Sequence, residues 1–212
     1  MIDHIKAIIQ QYKAKPIGNQ KEFAVFLPLI ERDGQLHILF EVRGQSISQP
    51  GDTSFPGGKI EANEHPKTAA IRETIEELNV SPDQIEVFGP IDYIIRDWAI
   101  VYCFAGQIHQ FNMDEFQRNE EVEHLFSVPL EFFINESPTY YPINIEERMS
   151  ADFPFERIHR GKDYKFHRQK MLVPFYNLPK EYNDNTLWGM TAQLTHRFSQ
   201  IITTDSKQIS IK

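Results

Sequence analysis

Three glutamates in the middle of the chain, Glu73, Glu76 and Glu77, are spaced so that a helix would bring their carboxylates together. At ~100° per residue, Glu77 lies about 40° to one side of Glu73 and Glu76 about 60° to the other. Like charges at these spacings cost an isolated helix ~0.2–0.5 kcal/mol per pair, so we expect a cation to compensate them. A hard divalent ion such as Mg²⁺ takes carboxylate oxygens, and substrate phosphates usually complete its coordination. The spacing therefore predicts a metal site suited to phosphate chemistry.

The same helix carries a cation of its own and an apolar side. Arg72 lies one turn before Glu76, so it can pair with a carboxylate and fix its rotamer. Ile71, Ile75 and Leu78 fall opposite the glutamates and are expected to pack into a core.

Both ends of this helix are marked in the sequence. Pro66 suits the first turn, where its missing N–H would have no partner. Asn79 follows the last apolar residue and tolerates the left-handed conformation that ends many helices. Gly57 and Gly58 allow the preceding loop to bring its backbone close to the acidic side chains.

The stretch from Phe55 to Val80 resembles the box of the Nudix hydrolases, G-x5-E-x7-R-E-U-x-E-E-x-G-U. The positions that match are Gly58, Glu64, Arg72, Glu73, Glu76, Glu77 and Val80. Asn79 stands where the family has Gly, and Thr74 stands where it prefers an aliphatic residue. Neither departure removes a charged position, so the resemblance includes the whole proposed metal-binding set.

The resemblance implies an α/β (α+β) Nudix fold, an α/β/α sandwich around a mixed β-sheet. It implies hydrolysis of a nucleoside diphosphate linked to another moiety, with Mg²⁺ or Mn²⁺ as the cofactor. The metal ligands it implies are Glu73, Glu76 and Glu77. Glu73 and Arg72 would be catalytic, with Arg72 orienting the carboxylates, and the backbone of Gly57 and Gly58 would lie close to metal and phosphate.

The loop before the box resembles the coenzyme A diphosphatases within this family. Their pattern, LLTxRSxxLxxHxGQVxFPGG, is similar to ILFEVRGQSISQPGDTSFPGG here. The matching positions are Leu39, Gly51, Phe55, Pro56, Gly57 and Gly58, and Arg43 lies one residue after the position of the pattern's Arg; Gln49, Asp52 and Thr53 depart from the pattern. Arg43 is suited to a phosphate oxygen through its planar fork of donors.

A second, distant segment supports the same subgroup. Trp188, Gly189, Thr191 and Ala192 match its (I/L)WG-x-T-A segment. The resemblance implies coenzyme A or an acyl derivative as substrate, with 3′,5′-ADP and 4′-phosphopantetheine as products. Two alternatives stay open: another Nudix substrate, such as ADP-ribose, NADH, a nucleoside triphosphate or the 5′ end of RNA, and a Nudix-derived ligand-binding regulator without turnover.

A polar loop after the box carries Glu120, Glu121 and Glu123. In related enzymes such a loop delivers a further metal ligand or a general base. Glu121 is the candidate because it directly precedes Val122, as in the family's E-V pairing. A solvated loop is the alternative.

A basic segment lies between residues 157 and 170. Its cationic residues are Arg157, His159, Arg160, Lys162, Lys165, His167, Arg168 and Lys170. Arg160 and Arg168 are candidates for binding an additional phosphate of the substrate, such as the 3′-phosphate of coenzyme A. An exposed hairpin balanced by nearby acids is the alternative.

Composition limits the remaining classes of function. The 212 residues carry a net charge of −8, which argues against general affinity for nucleic acid or an anionic membrane. No apolar run approaches the ~20 residues of a membrane span, and no signal peptide is evident, so we expect a cytoplasmic protein. The single cysteine, Cys103, lies in an apolar run and is expected in the core. A small nucleotide is the expected partner, and a homodimer stays open.

The remaining elements are predicted from periodicity and turn signals. The chain is expected to form one domain over residues 1–212, with an amphipathic packing helix within 1–18 and a flexible tail over 203–212. Strands are predicted over 22–30, 35–43, 85–95, 100–108, 139–147, 153–159 and 170–176, with hairpin turns at 32–34 and 160–162. Residues 184–202 are expected to form a helix capped by Asp184 or Asn185, with an apolar stripe of Leu187, Met190, Leu194 and Phe198.

Overall fold

A computed structural model describes residues 1–145, 149–166, 170–182 and 185–209. The helices are α1 (Ile2–Gln11), α2 (Pro66–Leu78), α3 (Leu130–Asn135) and α4 (Gly189–Ile209). The strands are β1 (Lys21–Arg32), β2 (Gln35–Arg43), β3 (Thr53–Ser54), β4 (Gly57–Lys59), β5 (Ile85–Pro90), β6 (Ile94–Ile95), β7 (Ala99–Ile108), β8 (Val122–Pro129), β9 (Thr139–Asn144), β10 (Lys170–Tyr176) and β11 (Leu187–Trp188).

Strands β1 and β2 form the predicted hairpin. Asp33 and Gly34 connect them with φ values of 52° and 74°, a left-handed pair that matches the twist of the flanking strands. Arg32 therefore pairs with Gln35 directly across the turn. The local turn signal was sufficient to set this register.

The larger sheet, β1 to β8, is mixed as predicted. Its main path runs β3-β2-β1-β7-β5, with β4 on β1, β6 on β7 and β8 on β2. Strands β1 and β7 are parallel, and Leu27 pairs with Ala105, whereas the other pairs of this sheet are antiparallel. The predicted strand over 85–95 is divided into β5 and β6, and both halves pair with β7.

Helices cover both faces of this sheet, which confirms the predicted α/β/α sandwich. On one face, Phe26 and Ile30 of β1 share a core with Ala70 of α2. On the other face, Leu27 and Leu29 share a core with side chains of α3 and α4. Because successive residues of β1 point to opposite faces, a single central strand supplies both cores. Cys103 is buried in the second core, as expected.

The smaller sheet, β11-β10-β9, differs from the prediction between its strands. Residues 153–159 do not form a strand, and β9 pairs directly with β10. They contain a 3₁₀ turn over Phe155–Arg157 instead. The predicted hairpin at 160–162 is also wrong, since Gly161–Asp163 form a second 3₁₀ turn.

The C-terminal helix begins later than predicted and ends later. Leu187 and Trp188 belong to β11, and α4 starts at Gly189, whose φ of 65° reverses the chain from strand to helix. Neither proposed cap therefore begins the helix, and Asp184 lies outside the described residues. The helix continues to Ile209. The flexible tail over 203–212 stays a prediction.

Helix α1 is amphipathic as predicted, but its apolar side is exposed. None of its residues is buried, and Ile2 is 72% exposed. The expected packing role therefore has no counterpart within the described part of this chain. Among those residues, no helix is both long enough and apolar enough to cross a membrane.

Candidate active site

Helix α2 carries the predicted acidic residues and has the predicted ends. It begins at Pro66, and His65 caps it because its Nδ1 accepts a hydrogen bond from the backbone N–H of Lys67 at 3.2 Å. Asn79 ends the helix in the left-handed conformation, with φ 52° and ψ 43°. The substitution of Gly by Asn at this position of the Nudix pattern therefore keeps the backbone conformation that the helix end requires.

The buried side of α2 agrees with the prediction only in part. Leu78 lies in the core and Ile75 packs against it, as predicted, whereas Ile71 is half-buried. Ala69, Ala70 and Thr74 form much of the rest of the buried side. The hydroxyl of Thr74 donates to the carbonyl of Ala70 at 2.7 Å, so it is satisfied within the helix. Small side chains at these positions bring the helix backbone close to the sheet.

The three glutamates share a side of α2 but have different environments. The side chain of Glu76 is 58% exposed, that of Glu73 is 15% exposed, and Glu77 is buried. The predicted common acidic face is thus graded from solvent to interior.

Arg72 links the acidic residues around it. Its guanidinium forms ion pairs with Glu64 at 3.0 Å, with Glu73 at 2.9 Å and with Glu76 at 3.2 Å. Its Nη2 also donates to the carbonyl of Lys59 at 3.3 Å. The predicted ion pair with Glu76 is present. The ion pair with Glu64 gives that residue a role, since it fixes the position of the Arg72 side chain. Hydrogen bonding to Glu64 raises the pKa of Arg72, which keeps it charged.

Glu77 connects α2 to the Gly-rich loop. Its Oε2 accepts a hydrogen bond from the backbone N–H of Gly57 at 2.7 Å. Burial raises the pKa of Glu77, and the charge of Glu41 raises it further. The carboxyl therefore holds its proton above the usual range of a glutamate.

Glu41 is a functional candidate that the sequence did not reveal. It lies near the C-terminal end of β2, is 1% exposed and accepts a hydrogen bond at Oε1 from the hydroxyl of Ser54 at 2.7 Å. Its Oε2 is buried without a hydrogen-bond partner. Burial raises the pKa of Glu41, and the charges of Glu121 and Glu73 add to that effect. The only sequence feature that could have pointed to Glu41 is its place within the apolar run ILFEVR. An acidic residue at an exposed position of a strand would give the same pattern.

Both glycines of the loop are required by close approaches. A Cβ on Gly58 would collide with the carboxylate of Glu73. Gly57 has a φ of 154°, and a Cβ there would collide with the carbonyl of Ala24 on β1. The loop backbone therefore touches the acidic helix, as predicted.

Glu121 lies near the acidic residues through a turn built by Asn119. The side-chain Oδ1 of Asn119 accepts from the N–H of Glu121 at 3.0 Å, and its Nδ2 donates to the carbonyl of Glu77 at 2.9 Å. The exposed carboxylate of Glu121 is close enough to raise the pKa of Glu41, Glu73 and Glu77. The structure thus brings Glu121 and the helix glutamates together, and sequence reasoning did not identify Asn119 as the connecting residue.

A pocket of ≈ 350 Å³ adjoins this acidic region. It brings together Arg43, Gly57 and Gly58, three of the predicted substrate-binding residues. The departures Gln49, Asp52 and Thr53 also line it, together with Trp98, Trp188 and Thr191. Arg43 is partly engaged by its own loop, since its Nε donates to the carbonyl of Ser48 at 2.8 Å.

The two candidates from the basic segment have different outcomes. Arg160 adopts a left-handed conformation, with φ 74°, next to a 3₁₀ turn, and does not line this pocket within the described part of the chain. Arg168 lies outside the described residues. A phosphate-binding role for Arg160 and Arg168 stays a prediction.

The metal-ligating atoms in this region suit a hard divalent cation. Glu41, Glu73, Glu77 and Glu121 supply carboxylate oxygens. The Oε2 of Glu41 is buried and accepts no hydrogen bond, so it is available as a ligand. Over residues 1–145, 149–166, 170–182 and 185–209, no three His, Cys, Asp or Glu side chains converge as a ligand set. Arg72 occupies the carboxylates of Glu73 and Glu76 by ion pairing, so metal binding would exchange those contacts for metal contacts.

The chain resembles known proteins in sequence. The family model described as the NUDIX domain matches residues 20–143. The chain is 29% identical over 197 residues to the mouse peroxisomal coenzyme A diphosphatase NUDT7. The matched region covers 91% of this chain and 75% of the mouse protein. It is 27% identical over 191 residues to Nudix hydrolase 3 of Caenorhabditis elegans, over 86% of this chain and 73% of that protein.

A solved structure agrees at the level of the fold. The crystal structure of a MutT/nudix family protein from Enterococcus faecalis superimposes with a TM-score of 0.51 at 14% identity. The match covers 96% of this chain and 70% of the other chain.

Proposed function

The chain belongs to the Nudix family, and from that premise we propose that it hydrolyses the diphosphate of coenzyme A or an acyl-coenzyme A. The products would be 3′,5′-ADP and 4′-phosphopantetheine, or its acyl form. Its family and its relatives show that the chain is a Nudix hydrolase, an enzyme that cleaves diphosphate linkages.

One contact supports the coenzyme A proposal more than any other observation. The hydroxyl of Thr191 donates to the carbonyl of Thr53 at 3.0 Å. This bond joins the WG-x-T-A segment to the loop before the box, the two regions that resemble the coenzyme A group. Both regions line one pocket beside Gly58 and the acidic helix. The two segments that resemble the coenzyme A group therefore meet at one candidate binding site.

We assign the residues of the acidic region the following roles. Glu73, Glu76 and Glu77 would hold Mg²⁺ or Mn²⁺, which supplies charge neutralisation of the diphosphate and a water of lowered pKa when bound. Arg72, anchored by its ion pair with Glu64, holds the carboxylates of Glu73 and Glu76 in place before the metal binds and so acts as a positioning residue.

Residues around the substrate would bind and orient the diphosphate. The backbone of Gly57 and Gly58 allows the phosphates to approach the acidic helix, since no side chain intervenes there. Arg43 offers its remaining donors to a phosphate oxygen. Glu121 is exposed beside the carboxylates and would accept the proton of the attacking water as general base.

Asp52 favours a second candidate within the same family. Its side chain lines the pocket and adds a negative charge to a site that would otherwise bind a polyanion. ADP-ribose and NADH carry a diphosphate without the 3′-phosphate of coenzyme A, so they bring less charge to Asp52. Hydrolysis of one of these compounds is the alternative.

A substrate panel tests both candidates. The purified protein is incubated with coenzyme A, acetyl-coenzyme A, dephospho-coenzyme A, ADP-ribose, NADH, ATP and 5′-triphosphate RNA, with Mg²⁺ or Mn²⁺, and the products are identified by mass spectrometry. We expect the highest kcat/KM for the coenzyme A compounds, with 3′,5′-ADP among their products. Faster cleavage of ADP-ribose or NADH would favour the second candidate, and no turnover of any compound would support a binding module.

A further inference from the structure

The candidate pocket is lined by two kinds of side chain. Gly58 touches Glu73, so the phosphates of a substrate are expected on the side of the acidic helix. Phe23, Trp98 and Trp188 supply aromatic surface to the same pocket. This surface is available to the organic part of the substrate.

Trp188 is held in a fixed orientation by its neighbours. It lies opposite Phe175 in the β10–β11 pair, and the two rings stack at 5.4 Å with an interplanar angle of 15°. Tyr141 contacts Phe175 in turn, edge to face at 5.5 Å. The indole remains 37% exposed although Phe175 covers one of its faces. A flat group in the pocket could therefore stack on the rest of a ring that is already ordered.

Trp98 is also braced, from a different part of the chain. Its ring contacts Phe23 edge to face at 6.4 Å, and its carbonyl accepts from the N–H of Lys21 at 3.0 Å. Nearby, Nη2 of Arg96 donates to Oε1 of Gln193 on α4 at 3.2 Å. The loop that carries Trp98 is thereby tied to the same helix that begins directly after Trp188.

We propose, on the basis of the proposed function, that Trp98 and Trp188 form the aromatic walls of a slot that binds the nucleobase of the substrate. Every nucleobase has a flat π-face that stacks on an aromatic side chain. The two walls are ordered before binding, because α4 is linked to the Trp98 loop by Gln193 and to β3 by Thr191. Such preorganisation lowers the entropic cost of binding a rigid ring. A flexible pantetheine chain has no π-face and would need only apolar surface.

The two tryptophans of the sequence permit a direct binding test. Trp98→Phe leaves Trp188 as the single tryptophan, and Trp188→Phe leaves Trp98. Each metal-free variant is titrated with AMP, ribose 5-phosphate or 4′-phosphopantetheine while its fluorescence is recorded. We expect AMP to quench both tryptophans and the two base-free compounds to leave them unchanged. Absence of quenching by AMP, or an equal response to 4′-phosphopantetheine, would overturn the assignment.

Kinetics with coenzyme A test whether the ring itself matters. Trp188→Leu keeps apolar volume but removes the π-face, so we expect KM to rise about tenfold with kcat within about twofold. Trp188→Phe keeps a ring and should return KM to within about threefold of the wild type. Phe88→Leu is the control, because it removes the ring of an exposed aromatic side chain that does not line the pocket. Equal KM values for the Leu and Phe variants of Trp188 would contradict base stacking.

The two tests separate this slot from the proposed reaction. Quenching by AMP in a protein that does not cleave coenzyme A would retain the slot and reject the substrate. Cleavage of coenzyme A with unchanged KM in Trp188→Leu and no quenching by AMP would retain the substrate and reject the slot.

Discussion

Glu41 on β2 and Glu77 on α2 are buried carboxyls, and the charge of Glu41 raises the pKa of Glu77 beyond the effect of burial. A buried charge without full hydrogen bonding is costly, and the Oε2 of Glu41 lacks a partner. This pair therefore makes the candidate site less stable than a neutral core would be.

Glu41→Gln should stabilise the metal-free protein. The amide oxygen of the new side chain keeps an acceptor for the hydroxyl of Ser54, while the buried charge disappears. A gain of about 1 kcal/mol in the free energy of unfolding would raise Tm by about 2–4 °C for a chain of this size. Thermal unfolding at pH 8 in EDTA measures it, with the exposed Glu131→Gln as control. A Tm below that of the wild type would show that the charge of Glu41 is stabilising.

Stability of the metal-free protein should fall as the pH rises. Burial raises the pKa of Glu41 to about 7 and that of Glu77 to about 9. The folded state thus holds protons that the unfolded chain has released. The stabilisation from these two protonated carboxyls is complete below the ordinary pKa of a carboxyl group, and it is lost as the pH rises through their raised pKa values. We expect Tm in EDTA to decrease between pH 6 and pH 9.5, and to decrease less in Glu41→Gln. A Tm that rises over this interval would contradict the raised pKa values.

Glu76→Gln and Glu77→Gln should each abolish turnover while the fold survives. Outer-shell partners of a metal typically contribute 10–100-fold, so loss of a ligand should cost more than about 100-fold in kcat/KM. The amide oxygen introduced by Glu77→Gln would still accept from the N–H of Gly57, which separates the loss of charge from the loss of that contact. Calorimetric titration with Mn²⁺ should show weakened binding in both variants. Turnover within tenfold of the wild type in both would reject these residues as ligands.

Gly58→Ala should displace the carboxylate of Glu73 and reduce activity. The added methyl group would occupy the position of that carboxylate, so Glu73 must move away from the loop. Gly89→Ala is the matched control, because a methyl group there meets no atom within 4 Å. We expect a loss of at least about tenfold in kcat/KM for Gly58→Ala only, since misplacement by about 1 Å can cost 10²-fold. Equal activity of the two variants would show that Glu73 tolerates the displacement.

The combination of Gln49→His and Asp52→Gln should increase hydrolysis of coenzyme A. Both residues line the pocket, and the change restores the pattern of the coenzyme A group while removing one negative charge. The ratio of kcat/KM for coenzyme A to that for ADP-ribose measures the effect. If neither the wild type nor the double variant cleaves coenzyme A, the proposed substrate is wrong.

Helix α2 could be predicted because its signals are local. Pro66 and Asn79 mark its ends through their own backbone preferences, and the glutamate spacing follows from helix geometry. Periodicity assigned its buried side only in part: Leu78 is buried as predicted, but the sheet accepts the small Ala70 and Thr74 more closely than the larger Ile71.

Residues that depend on distant contacts were not predicted. Glu41 has the same alternation pattern whether its side of β2 is open or covered, and only the assembled site shows that it is covered. Leu187 fits the apolar periodicity of the following helix, but its pairing with Tyr176 places it in a strand. The brace by Phe175 and the slot beside Trp98 depend on strands far apart in the sequence.

The parallel pairing of β1 with β7 has a consequence for how the chain reaches its native state. The β1–β2 hairpin closes through a two-residue turn. Leu27 and Ala105, in contrast, are separated in the sequence by the acidic helix and β5, so their pairing closes a long loop. Local contacts form early and distant ones form slowly, so the hairpin is expected to precede the β1–β7 pair. Until β7 docks, one edge of β1 is left unpaired, and such edges promote aggregation of partly folded chains. Soluble yield is therefore expected to respond more strongly to changes in β7 than to changes in the exposed β9.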